Sequence, residues 1–551
     1  MQPPRPGIQS SYFLIAWFVL NVAQAALTPL DPDETYYWMY AGQLDWGYFD
    51  HPPAVAVLIA LARDWLPGAL GLRLGHVLAS TAAVGVLFHL RRGAGESDDW
   101  LMAALIFAQP MLQVYGFIAT PDGPLLLFAA LYLLAYRSFL ERPSYGNAGW
   151  VGVAMAGLLY SKYHGLILIL FTFLPNLVYL IRKPAAWLAV GVGTLLFVPH
   201  LYWQYAHDYP SFRYHLSGRD DPYEFRFTVQ YLLNQLVIFS PLLVYHYVLA
   251  FIRTVPTDRF DRSLRWLVAG FLLFFLYTTT KGRTEAQWTA VLSLPLVLLL
   301  YRAVGEFPTW RTSVLRLCYA TAALLLIARI LLLLPRDWLP FDKPFDHEPW
   351  VERLQAIAGD DPVVVENSYR YASLYEYYGG GPGWTFTDVD YRPSQYDLWH
   401  RDTLYHDRTV WILGQANWKL SDPAAFRTQD RDMRLLRVDS FQVVKDVRLE
   451  ADFAARGHLR VFATAPRDIN LQGPLPLSLH LISRREAGDY AYEPLSSLAV
   501  KNLPAHERTL LYSGPIPSGF LEQHPSDRLS VGLAYRGMPP LRDQSATYRL
   551  E

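Results

Sequence analysis

Long apolar stretches separated by short polar breaks dominate the first 335 residues. A helix that crosses a bilayer needs about 20 mostly apolar residues. Eleven segments approach that requirement, at about 11–30, 71–90, 99–119, 123–140, 149–166, 167–181, 186–206, 228–252, 264–280, 286–302 and 313–334. The breaks are polar or rich in Gly and Pro. The first segment lacks an Ala-x-Ala type cleavage site with a basic region close before it, so it reads as a retained helix. After residue 335 the pattern changes. Glu348 to Ala358 reads as a helix. Pro362 to Val365 and Thr409 to Leu413 read as short buried strands. From 436 onward, runs such as His458–Ala463, Leu477–Ile482, Thr509–Tyr512 and Leu529–Ala534 alternate with turns, the pattern of a small β-sandwich. The predicted fold class is a polytopic α-helical membrane protein of about 11 spans with a C-terminal α/β plus β-sandwich region. Its expected domains are 1–335, 336–435 and 436–551. The chain shows neither an internal repeat nor a low-complexity segment.

Charge sharpens this division. Of the 97 acidic and basic side chains, 42 lie in residues 1–335 and 55 in the much shorter 336–551. The first part therefore has a membrane composition and the second a soluble one. The net charge of −1 gives no footprint for nucleic acid. The single cysteine, Cys318, excludes an intramolecular disulfide and a Cys-rich metal site.

Basic residues also orient the spans. Arg91-Arg92, Arg137/Arg142, Arg182-Lys183, Arg253 to Arg265 and Arg302 to Arg316 all fall in alternate loops, which the positive-inside rule makes cytoplasmic. The N-terminus is then cytoplasmic, and an odd span count puts both loop 31–70 and residues 336–551 outside. Within loop 31–70, stretches around 34–43 and 53–66 are amphipathic and rich in Trp and Tyr, so two helices are expected to lie along the outer surface.

The outer ends of the spans gather the scarce charges. Asp33 and Glu34 follow the first helix, and Asp50-His51 precedes Pro52-Pro53. Asp122 sits in the turn Thr120-Pro121-Asp122-Gly123. Lys162 follows the fifth span, His215 and Arg219 the seventh, and Lys281, Arg283 and Glu285 the ninth. Each also has a plain reading. Asp122 would cap the next helix, Asp33 and Glu34 would favour a helix start, His51 would be a turn residue, and Lys281 and Arg283 would snorkel. Arg329, inside the last span, would snorkel outward. Taken together, acids and bases on one membrane face form a polar cavity, in which acids activate an acceptor and cations hold an anionic leaving group.

The run Asp33-Glu34-Thr35-Tyr36-Tyr37-Trp38, then Leu44 to Pro53, Ala119-Thr120-Pro121-Asp122 and Ser161-Lys162-Tyr163 resembles the GT-C type of polyprenyl-phosphate-sugar-dependent membrane glycosyltransferases. That type includes the protein O-mannosyltransferases and the bacterial lipid A aminoarabinose transferases. The resemblance covers about residues 10–335 and, more weakly, 346–435. It implies that Asp33 is the base, with Glu34 and Asp122 beside it. It implies that His51, Lys162, Arg219, Lys281 and Arg283 hold the donor phosphate, and that Tyr37, Asp50, His215 and Glu285 position substrate. The aminoarabinose transferases carry a lysine where His51 stands, so a protonated imidazole takes that place here. The implied donor is a sugar on undecaprenyl or a similar polyprenyl phosphate. The implied acceptor is an envelope glycolipid, glycan, lipid or protein at the outer face of a bacterial inner membrane. A divalent metal at Asp50, His215 or Glu285 is allowed but not required. A lipid-linked glycan flippase and a non-catalytic membrane scaffold are the competing classes. Tyr371, Tyr375, Tyr377, Tyr378, Trp384 and Tyr391 offer rings for sugar stacking, though core packing is the simpler role for most.

Overall fold

A computed structural model describes residues 8–91, 98–217, 223–335, 338–339, 346–386, 393–415, 424–455, 458–484, 490–517, 519–520, 528–542 and 544–549. The chain forms two compact units, residues 1–345 and 346–551.

The first unit is helical. Its elements are α1 (Ile8–Leu27), α2 (Pro32–Ala41), α3 (Ala54–Ala60), α4 (Gly68–Leu90), α5 (Asp99–Phe107), α6 (Pro110–Val114), α7 (Asp122–Glu141), α8 (Tyr145–Ser161), α9 (His164–Phe173), α10 (Leu177–Leu180), α11 (Pro184–Ala206), α12 (Pro210–Ser217), α13 (Phe225–Ile238), α14 (Val244–Arg253), α15 (Arg259–Thr278), α16 (Ser293–Glu306) and α17 (Arg311–Leu333). Helices therefore occupy all eleven apolar stretches. Among the described residues, six are long and apolar enough to cross a membrane. Several of the others are broken. The stretch 99–119 divides before Pro110, which starts α6 because it has no N–H to donate to a preceding turn. The stretch 228–252 divides around Ser240 and Pro241, with Ser240 at a left-handed φ of 65°. The expected break at 166/167 lies instead at Lys162-Tyr163, between α8 and α9.

Buried aliphatic and aromatic side chains of α4, α5, α7, α8, α15 and α16 make one continuous core. Several polar groups inside it are paired. Tyr132 shares a 2.7 Å hydrogen bond with Thr172, and the Asn176 amide donates to Ser263 Oγ at 2.9 Å. Outward faces are apolar, as at Trp187, Leu195 and Ile252, the surface a lipid phase rewards. Arg329 departs from the expected snorkel. It is buried and donates to the side-chain oxygens of Asn21 (2.7 Å), Gln24 (3.3 Å) and Gln113. Three amide oxygens inside the bundle replace the water that a snorkelling guanidinium would reach.

Both expected loop helices form, as α2 and α3. Helix α3 packs very closely on α4. A Cβ on Gly75 would stand 2.0 Å from the Leu58 carbonyl oxygen, so only hydrogen fits there.

In the second unit, α18 (Glu348–Ala358) has the expected bounds. It accompanies strands β1 (Val363–Glu366), β2 (Gly383–Phe386), β3 (Arg408–Gln415), β4 (Ala424–Arg427) and β5 (Asp432–Phe441) in one sheet of order β2-β1-β3-β5-β4. β1 runs parallel to both neighbours and is buried throughout, which is why it reads as an unbroken apolar run. The later strands are β6 (Arg448–Ala455), β7 (His458–Thr464), β8 (Ile469–Asn470), β9 (Leu477–Arg484), β10 (Tyr490–Pro494), β11 (Asn502–Leu503), β12 (Arg508–Pro515), β13 (Arg528–Tyr535) and β14 (Tyr548–Arg549). They form antiparallel sheets β10-β9-β13-β14 and β12-β7-β6, with β8 paired to β11. The boundary expected at 435/436 falls inside β5, so the two textures share a continuous strand. Tyr371, Tyr375 and Trp384 are core residues, not exposed rings. Tyr391 lies outside the described residues.

Candidate active site

Helix α2 begins with a capping box. The Asp31 carboxylate accepts from the Asp33 amide at 2.8 Å, and the Asp31 amide donates to Glu34 Oε2 at 2.9 Å. This satisfies orphan amides of the first turn and leaves Asp33 half-buried on that turn. Glu34 is fully buried and serves several donors. Arg73 of α4 donates to its two oxygens at 2.7 and 2.5 Å, and the Ala119 amide donates to Oε1 at 2.7 Å. Arg73 also donates to the carbonyls of Ala25, Thr28 and Pro29. Glu34 was expected among the reacting groups. Its oxygens are instead spent on Arg73 and two amides, which makes it a strut tying α2 to α4 and to the segment before Asp122.

Asp122, the first residue of α7, makes no cap. Its two oxygens accept from Lys162 Nζ at 2.9 and 2.9 Å, and both side chains are less than a tenth exposed. The sequence separated these roles, with Asp122 beside the base and Lys162 on a phosphate. The fold pairs them directly. Lys162 carries three N–H donors, so one remains after both Asp122 oxygens are served.

The Asp50-His51 segment is held from several directions. Tyr40 of α2 donates to Asp50 Oδ1 at 2.8 Å, and His215 Nε2 donates to the Asp50 carbonyl at 3.2 Å. The Tyr37 and His51 rings meet edge to face at 5.6 Å. Gly47 lies on the Trp203 ring, where a Cβ would come within 2.5 Å of ring carbon. Tyr163, next to Lys162, donates to His200 Nε2 at 2.9 Å, and His200 Nδ1 donates to the Trp46 carbonyl at 2.7 Å. These bonds tie the first loop to the start of α9 and to α11. Asp208 and Tyr209, with φ of 63° and 56°, turn the chain from α11 into α12, which carries His215.

The fold thus brings together the segments carrying Asp33, Glu34, Tyr37, Asp50, His51, Asp122, Lys162 and His215. Lys281 and Arg283 are exposed. Arg283 pairs with Glu285 at 3.5 Å, outside this hydrogen-bonded web. The loop they share lies between Phe275 and Trp288, whose rings both contact His164. Arg219 lies outside the described residues. No group of three or more His, Cys, Asp or Glu arranged to hold a metal occurs among the described residues. Sequence reasoning missed Arg73, His200 and Tyr163. Arg73 had a signal, since a lone arginine in an apolar helix needs a buried partner.

Residues 50–203 match the family of dolichyl-phosphate-mannose-protein mannosyltransferases. The chain is 23% identical over 414 residues to lipid A galacturonosyltransferase RgtD of Rhizobium johnstonii, covering 71% of this chain and 84% of that one. The crystal structure of ArnT from Cupriavidus metallidurans superposes with a TM-score of 0.58 at 14% identity, over 77% of this chain and 97% of that one. The chain thus shares its fold with that transferase, around a segment similar to the mannosyltransferase family that spans the Asp50, Asp122 and Lys162 positions.

Proposed function

We propose that the chain moves a monosaccharide from a polyprenyl phosphate to an envelope acceptor, with inversion, at the outer face of a bacterial inner membrane. The carrying observation is the convergence of the two loop acids on one web. Glu34, beside Asp33, binds the Ala119 amide, three residues before Asp122, and Asp122 in turn holds Lys162. An acceptor hydroxyl attacks C1 from the face opposite the phosphate. The C1–O bond to phosphate breaks, polyprenyl phosphate departs, and the hydroxyl proton passes to Asp33. Lys162 and His51 face the charge that grows on the leaving phosphate, a role worth several kcal/mol in a water-poor site. Lys281 and Arg283 approach it when donor is bound. Tyr37, Asp50 and His215 shape the acceptor side.

The galacturonosyltransferase relative acts on lipid A by its name, so a lipid A type glycolipid is the first acceptor to test. The named relatives are transferases, which disfavours the flippase alternative. The eleven-span arrangement, with residues 346–551 on the periplasmic side, completes this reading. The test is transfer of labelled sugar from purified undecaprenyl phosphate sugar to lipid A by the full chain in detergent. Product from wild type with none from Asp33→Asn supports it. Loss of donor with no glycosylated acceptor overturns it.

A further inference from the structure

We propose that the unit also holds an anionic membrane phospholipid at the opposite end of the bundle from Lys162, its phosphate among Arg182, Lys183, Arg259 and Arg262. Lys162 precedes α9 and Arg182 follows α10. Residues 164–180 at 1.5 Å per residue separate the two ends by about 25 Å. There a pocket of about 470 Å³ opens between the 174–183 segment and the start of α15. Four of its lining residues are the cations just named. Among the described residues none of the four makes an ion pair. Tyr179 lies between two of them, with Arg259 4.0 Å and Lys183 5.2 Å from its ring centre. Asn176, buried in the same lining, uses its amide N–H groups on Tyr136, Ser263 and the Arg259 carbonyl, and its Oδ1 has no partner. Four cations around one opening ask for an anionic phosphate headgroup, such as that of phosphatidylglycerol.

The surroundings favour a lipid over a free phosphate. Leu177 and Val178 beside the cations are exposed and apolar. Arg262 also rims a second cavity of about 650 Å³ running up α15, walled by Phe171, Trp266, Gly270, Phe274 and Tyr277. This wall is almost wholly apolar and suits an acyl chain. Basic pockets between helices at the cytoplasmic surface are where anionic headgroups settle.

The experiment is native mass spectrometry of the full chain in detergent, with dioleoylphosphatidylglycerol, dioleoylphosphatidylcholine and inorganic phosphate as separate additions. The glycerol lipid is expected to bind at least about tenfold tighter than the choline lipid. Arg182→Gln with Arg259→Gln should remove that preference, and Arg182→Lys with Arg259→Lys should restore most of it. If the glutamine variant fails to fold, wild-type retention is read as salt rises from about 50 to about 500 mM, where screening must release the lipid. Equal binding of both lipids, or retention unmoved by charge removal or salt, overturns the proposal. Displacement of the lipid by inorganic phosphate at equal concentration also overturns it, in favour of a soluble phosphate ligand.

Discussion

Lys162 reaches 40 residues back along the chain to hold both oxygens of Asp122, each at 2.9 Å, in a site where both side chains are buried. This pair joins the start of α7 to the end of α8. Removing one partner strands a charge, which typically costs about 3–5 kcal/mol. Lys162→Met and Asp122→Asn should each lower thermal stability and abolish transfer. The double variant should recover a large part of the stability and none of the activity. Additive stability losses across the double-mutant cycle would show that the pair does not couple in the folded protein.

Asp33→Asn tests the base directly. Sugar transfer to a hydroxyl acceptor should fall by about 10²–10⁴-fold, the range for loss of a general base, with donor binding unchanged. Substantial residual turnover on a hydroxyl acceptor removes Asp33 from that role. On a phosphate acceptor no base is needed, so the same change should raise KM more than it lowers kcat.

Arg73 anchors Glu34 and three carbonyls at once. A planar fork with five donors suits that duty and a point-charge ammonium does not. Arg73→Lys should therefore cost nearly as much as Arg73→Ala, about 3–5 kcal/mol, and should loosen α2. Hydrogen exchange across residues 31–41 reads the effect. Protection equal to wild type in the lysine variant would show that charge alone suffices.

Gly75→Ala drives a methyl into the Leu58 carbonyl, which is backbone and cannot rotate away. A loss of about 3 kcal/mol is expected, the upper end for overpacking. Gly149→Ala, with open space around its Cβ inside α8, is the control and should gain about 0.5–1 kcal/mol. Thermal unfolding of the two variants separates close packing from helix propensity. Equal midpoints would refute the close approach of α3 and α4.

His347 precedes α18 and accepts a 3.1 Å hydrogen bond from Trp350 at Nδ1, which requires the unprotonated nitrogen. Burial pushes its pKa down to about 4, opposed in part by Asp430 and Asp346. The unfolded chain binds this proton near pH 6.5 and the folded one only near pH 4. Stability is therefore full above about pH 6.5 and falls as the pH drops toward about 4, by on the order of 2–3 kcal/mol. Hydrogen exchange across 348–358, corrected for intrinsic rates, should show this slope in wild type and a flatter one in His347→Gln. Parallel slopes would locate the pH response elsewhere.

Local pattern was enough to locate the helical stretches, helix 348–358, the buried parallel strand at 363–366 and the later antiparallel strands. Each depends on periodicity and turn chemistry within about ten residues. It also placed Asp33 at a helix start, because a capping box is local. It did not reveal that Glu34 belongs to Arg73, that Lys162 belongs to Asp122, or that Arg329 turns inward to Asn21, Gln24 and Gln113. Those partners lie 39, 40 and more than 200 residues apart. A buried charge chooses its partner by what the packed helices bring within about 3 Å, and spacing along the chain carries no record of that. The sequence by itself determined which segments are apolar, which end of each collects charge, and what chemistry those charges make available. Only the tertiary structure decided which charges brace the scaffold and which stand in the candidate site, because burial makes pairing compulsory and the fold alone supplies the pairs.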